Sequence, residues 1–112
     1  MAVRVPGEII PLDKPFYVIG VAARLVSLHP QTLRHYESLG LVVPKRTHGN
    51  MRLYSPSDIE RLRKIKRLTQ DLGVNLAGVE VILRLSAQIE ILRAELNRLE
   101  TANISATTHA SR

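Results

Sequence analysis

The feature that most constrains this chain is a run of large aliphatic residues near its C-terminus. Ile82, Leu85, Ile89, Leu92, Leu96 and Leu99 are spaced 3, 4, 3, 4 and 3 residues apart, and Asn103 falls on the next equivalent position. That is the a/d seam of a heptad repeat, which places all six side chains along one narrow stripe of a single helix. A stripe of this kind needs a cover, because an exposed apolar seam is an aggregation hazard. In a chain of 112 residues the remaining helical segments are needed for one small core. An identical helix from a second copy is the expected cover, so these six residues are predicted to form the dimerisation surface of a homodimer. Packing of the seam onto the chain's own domain is the alternative.

Upstream of the seam the chain reads in short pieces. Pro6, Pro11 and Pro15 fall in the first fifteen residues, so residues 1–15 are expected to form a flexible, extended arm. Packing is expected to begin near Phe16. Tyr17-Val18-Ile19 is a short apolar run punctuated by Gly20, and Val21 to Val26 is helix-compatible. Pro30 suits the first turn of a second helix and Gly40 suits its end, which makes a helix-turn-helix. Leu41-Val42-Val43-Pro44 and Met51-Arg52-Leu53-Tyr54 flank the turn-prone stretch Lys45 to Asn50, as in a hairpin. Ser55-Pro56-Ser57-Asp58 is a strong helix start, with a hydroxyl cap, proline at N1 and an acid at N3. Ile59, Leu62, Ile65, Leu68 and Leu72 then recur on one inward face, with Gly73 as the stop. Asn75 can cap the helix that carries Leu76, Val79, Ile82 and Leu83. The predicted organisation is a helix-turn-helix and hairpin head over residues 16–74, a helical connector and dimerisation helix over 75–100, and a disordered, small-residue tail over 101–112. The fold class is mainly α.

Charge shows which part faces a partner. Residues 24–67 carry ten basic and three acidic side chains, or +7, while the flanking stretches sum to zero and minus one. A cationic excess confined to one segment is expected where that segment meets a polyanion. A merely solvated helix face accounts for the run Arg61 to Arg67 but less well for cations scattered through loops.

Catalytic chemistry has no support in the sequence. There is no cysteine, so thiolate metal sites and disulfides are excluded. His29, His35, His48 and His109 fall in no metal-ligand spacing, and nucleotide-cradle and nucleophile-elbow motifs are absent. Neither an enzyme nor a resident metal or cofactor is expected. No apolar run reaches membrane-spanning length, and a cytoplasmic, nucleoid-associated location is expected.

The helix-turn-helix carries the chemistry. Ala22 and Ala23 are small enough for a close helix crossing, and Val26, Leu28, Leu33 and Tyr36 fall at spacings that join the two helices. The second helix then presents Gln31, Thr32, Arg34 and His35, with Glu37 beside them, toward a major groove. Arginine can pair with guanine O6 and N7, glutamine can read adenine, and threonine can hold a phosphate. Lys45, Arg46, His48 and Arg52 are placed as a wing over the flanking backbone. Tyr54 can serve either as core or as a phosphate contact.

The segments IGVAARLVSLHPQTLRHYESLGLVVPKR, GNMRLYSPSDIERLRKIKRL and QDLGVNLAGVEVIL resemble the DNA-binding head of the MerR family of bacterial transcription regulators, and most of all its heat-shock repressor (HspR) branch. The resemblance spans residues 17–100. It implies a winged helix, a helical pair and a long dimerisation helix that runs antiparallel to its copy. It implies recognition-helix contacts by Gln31, Thr32, Arg34, His35 and Tyr36, and wing contacts by Arg46, Arg52 and Tyr54. It further implies repression of chaperone operons at inverted repeats in double-stranded DNA, with a DnaK-type Hsp70 as co-repressor. Two positions depart from the family pattern: Met51, where many members carry an aromatic or arginine, and Ser27, at a turn position often occupied by glycine. The nitrogen-metabolism (GlnR) branch, with a similar GNxRL wing and GVNLAG segment, is the alternative within the family. A small coiled-coil adaptor with a solvated basic face is the alternative outside it.

Overall fold

The computed structural model describes the backbone of residues 2–5, 8–11 and 15–110, and the side chains of residues 15–106. The chain divides into two compact units, Met1–Val74 and Asn75–Arg112.

The first unit departs from expectation at its start. Within the expected arm, β1 (Ala2–Val5) and β2 (Glu8–Pro11) pair antiparallel in the register Ala2↔Pro11 to Val5↔Glu8. Val3, Val5, Ile9 and Ile10 are β-branched and favour pleated backbone, and Pro11 stands at the end of its strand, where a missing N–H is tolerated. The rest of the arm, residues 1, 6, 7 and 12–14, lies outside the described residues.

Tyr17 forms a bridge with Tyr54, exchanging N–H···O bonds of 2.9 and 2.8 Å. Helix α1 (Ile19–Val26) follows directly, so Gly20 lies in its first turn instead of interrupting the chain. Ser27 ends α1 in the left-handed region at φ 55°, the conformation for which glycine is the usual choice. Helix α2 (Pro30–Ser38) starts with proline at N1, and His29 caps it: His29 Nδ1 accepts the Gln31 N–H at 3.0 Å. Gly40 closes α2 at φ +74°.

The wing strands are β3 (Lys45–Arg46) and β4 (Arg52–Leu53), paired as Lys45↔Leu53 and Arg46↔Arg52. The first strand thus begins after Pro44 and not at Leu41, because proline cannot donate to a ladder. Leu41 and Val42 are buried instead. Helix α3 (Pro56–Lys66) has the expected capping box: Asp58 N–H donates to Ser55 Oγ at 3.0 Å and Ser55 N–H to Asp58 Oδ2 at 2.9 Å.

The core of this unit is Ala22, Ala23, Val26, Leu33, Tyr36, Leu53, Tyr54, Ile59, Leu62, Ile65 and Leu68, all buried. Helix α1 packs on both α2 and α3, and the two alanines leave room for that approach. Leu72 is the exception among the predicted inward residues, at 66% exposed. Residues Arg67–Asp71 form a π-helical turn, closed by Leu72 N–H on Arg67 O at 3.1 Å. The wider turn shifts the helical phase, so the next apolar residue leaves the buried face.

In the second unit, Asn75 caps α4 through Oδ1, which accepts the Gly78 N–H at 2.8 Å. The segments expected to serve as connector and dimerisation helix form one uninterrupted helix, α4 (Leu76–Ala110), about 50 Å long at 1.5 Å per residue. The tail expected to be disordered from residue 101 continues this helix to Ala110; Ala102 and Ala106 favour it and no glycine or proline stops it. Residues 111 and 112 lie outside the described ones. No helix among the described residues is long and apolar enough to cross a membrane.

Candidate nucleic-acid interface

Helix α2 divides cleanly by face. Leu33 and Tyr36 point into the core, while Gln31, Arg34, His35 and Ser38 are exposed and Thr32 is half-buried. The inner face exists because α1 and α2 cross over small residues; the outer face is what remains. Arg34 Nη1 donates to Gln31 Oε1 at 3.2 Å. The two side chains with base-reading potential therefore lie together, one turn apart. Tyr36 belongs to the core, as its spacing predicts, and is not on the outer face that the family resemblance implies for it; its ring lies beside that of His35, with centroids 6.5 Å apart.

The wing also differs in part from expectation. Lys45 and His48 are exposed, as is Met51. Tyr54 is wholly buried, with its hydroxyl among the buried groups that have no hydrogen-bond partner in the described structure. It is core, and no phosphate can reach it without a rearrangement of the fold. Burial pushes its pKa up, and the nearby Glu37 charge adds to the effect.

Arg46 and Arg52 are not simply displayed to solvent. Arg46 Nη2 donates to both Glu37 carboxylate oxygens at 3.0 Å, and Arg52 Nε donates to Glu37 Oε1 at 2.8 Å. The side chains are 30%, 23% and 19% exposed for Arg46, Arg52 and Glu37. Arg46 Nη1 also reaches Asn50 O at 3.2 Å across the wing turn, where Asn50 adopts φ 65°. Glu37 does not face a groove. Burial works against its ionisation, but the hydrogen bonds and charges of Arg52 and Arg46 outweigh that and hold its pKa below the usual glutamate value.

The basic run of α3 divides in the same way. Arg61 Nε donates to Leu41 O, and Lys66 Nζ donates to Val26 O at 3.1 Å, where it satisfies a carbonyl at the end of α1. Arg63 pairs with Glu60 one turn away. These braces join residues 20 and 40 positions apart, and no local pattern marks them. Among the described residues no group of three or more His, Cys, Asp or Glu side chains is gathered for a metal.

Residues 17–86, which hold the helix-turn-helix, the two-stranded wing and the capped third helix, match the family model described as MerR HTH family regulatory protein. The chain belongs to that family. A Streptomyces coelicolor protein that carries the name heat shock protein HspR is 52% identical over 96 residues, which is 86% of this chain and 64% of that protein. The chain thus spans just under two thirds of that relative's length. The HTH-type transcriptional regulator GlnR of Bacillus cereus is 39% identical over 94 residues, covering 83% of this chain and 70% of GlnR. Among solved structures, a MerR-family transcriptional regulator from Bacillus cereus superposes with a TM-score of 0.55 at 28% identity, covering 79% of this chain and 75% of that one.

Proposed function

We propose that this chain is a sequence-specific, DNA-binding transcriptional repressor of heat-shock and chaperone genes, and that it acts as a homodimer on inverted repeats. The observation that carries DNA binding is the outer face of α2, where Gln31, Arg34 and His35 are exposed beside the wing in the segment that holds the whole cationic excess. In a dimer, two such helices enter major grooves on one face of the duplex. Gln31 and Arg34 read base edges, Thr32 and Lys45 hold backbone, and promoter occlusion follows from occupancy. The heat-shock assignment is supported by the 52% identity to the HspR relative. A DnaK-type Hsp70 is the co-repressor this reading implies.

Dimerisation is supported by the seam of α4, whose residues Leu85, Ile89, Leu92, Leu96 and Leu99 are 49 to 68% exposed in the single chain. The test is selection of duplexes from a random pool, followed by titration across a salt series. An inverted repeat is the expected product. If each subunit neutralises about four phosphates, log affinity falls with log salt at a slope of roughly minus seven for the dimer. A flat salt response contradicts the reading and favours an adaptor role. The 39% identity to GlnR supports a second reading, a nitrogen-metabolism repressor. Retention of glutamine synthetase instead of Hsp70 on the immobilised protein would select it.

A further inference from the structure

An acid beside a polyanion needs a reason to be there. Glu37 sits on the recognition helix, in the middle of the segment with the +7 excess, and electrostatics alone says that it should weaken DNA binding. Its partners explain its position. Arg46 and Arg52 lie directly opposite each other across the wing, and like charges so placed repel. The single carboxylate of Glu37 reaches both, from a different element, at 2.8 to 3.0 Å. Its contact with Arg52 uses only Nε. The two Nη groups of Arg52 are outside that contact and have no hydrogen-bond partner among the described residues.

We propose that Glu37 is a positioning residue of the DNA interface: it grips Arg52 by Nε and Arg46 by Nη2, leaves the paired Nη groups of Arg52 for a backbone phosphate, and sets the distance between wing and recognition helix. Guanidinium is the group suited to this, since one edge can be held while another binds an oxyanion in fork geometry. Two arginines on one carboxylate keep a net positive charge at the site, so the grip orients the wing without cancelling its attraction for phosphate. The proposal rests on the DNA-binding reading above.

The test turns on a sign. Binding of a short mixed-sequence duplex is followed by fluorescence anisotropy across a potassium chloride series, with circular-dichroism melting of every variant alongside. Glu37→Gln removes a negative charge yet is expected to weaken binding by roughly three- to tenfold, with a salt slope shallower by about 0.9 for each phosphate that is no longer neutralised. Glu37→Asp, too short to reach both arginines, is expected to fall between, and it decides the matter if Glu37→Gln does not fold. In a chain carrying Arg46→Gln and Arg52→Gln, loss of the Glu37 charge is expected to cost no further affinity. Tighter binding by Glu37→Gln, weaker binding with an unchanged slope, or an equal loss in the arginine-free background overturns the proposal. Absence of duplex binding by the unsubstituted protein at every salt concentration overturns instead the DNA-binding reading on which it rests.

Discussion

Helices α3 and α4 carry the same kind of apolar repeat and meet opposite fates. Ile59, Leu62 and Ile65 of α3 are buried to 3% exposure or less, while Leu92 of α4 is 68% exposed. In α3 the period is backed by α1 and a capping box fixes where the helix begins. In α4 the period continues for turn after turn, yet within a single chain Leu85 to Leu99 stay open. The difference shows that periodicity names the face and says nothing of the cover. The cover of α3 is intramolecular; that of α4 is proposed to be a second copy.

The comparison can be broken most forcefully at Leu62, which has no exposed surface. Leu62→Ala is expected to destabilise the first unit by about 2 to 5 kcal/mol, from reduced burial and the cavity left behind; denaturant melting that moves by only a few tenths would mean the α3 face is not the core. The contrasting substitution is Leu92→Glu. It is expected to leave melting of the head nearly unchanged while converting dimer to monomer, because a carboxylate cannot be buried unpaired in a seam. Light scattering reads the mass directly, and an undiminished dimer mass would remove the seam from the interface.

A smaller effect separates α2 from the wing. Arg34→Ala is expected to reduce discrimination between selected and random duplex by about 1 to 3 kcal/mol, whereas Lys45→Ala weakens both alike. Equal losses in the two variants would undo the division between base reading and backbone holding. The smallest effect concerns pH. Glu37 has a folded pKa below its ordinary value, so its ion pairs stabilise the fold fully above the ordinary glutamate range. That contribution is lost as pH falls through the lowered folded value. The melting difference between the unsubstituted protein and Glu37→Gln should therefore narrow on acidification, and a gap that stays constant to strongly acidic pH would show that the pair is not its source.

Much of the fold is legible in the sequence because its signals are local. Pro30 and Gly40 bracket α2, Ser55 and Asp58 start α3, and the heptads run unbroken along α4; in each case a cap or a period acts within a few residues. Expectation and structure part where distant or subtler effects act. Leu72 keeps the period of α3 in sequence but leaves its face, because a π-helical turn intervenes. The prolines near the N-terminus point to an arm without pairing, whereas the β-branched residues between them pair as β1 and β2. A polar composition past residue 100 points to disorder, although nothing in it breaks a helix.

The candidate interface shows the same division. Gln31, Arg34 and His35 can be assigned to an outer face from helical spacing alone, once Leu33 is placed inside. Tyr54 cannot be placed in this way, because a tyrosine serves core and surface equally well and only its neighbours choose. The arginines are visible as charge but not as partners of Glu37. By itself, the sequence determined where the helices up to residue 100 lie, which faces are apolar and where the cations concentrate, since those properties follow from chain-local geometry. The tertiary structure alone decided which cations are braced inward, on Glu37, Leu41 and Val26, and which remain outward. Ion pairs and carbonyl contacts between residues 9 to 40 apart depend on how the elements pack, and no period along the chain encodes that.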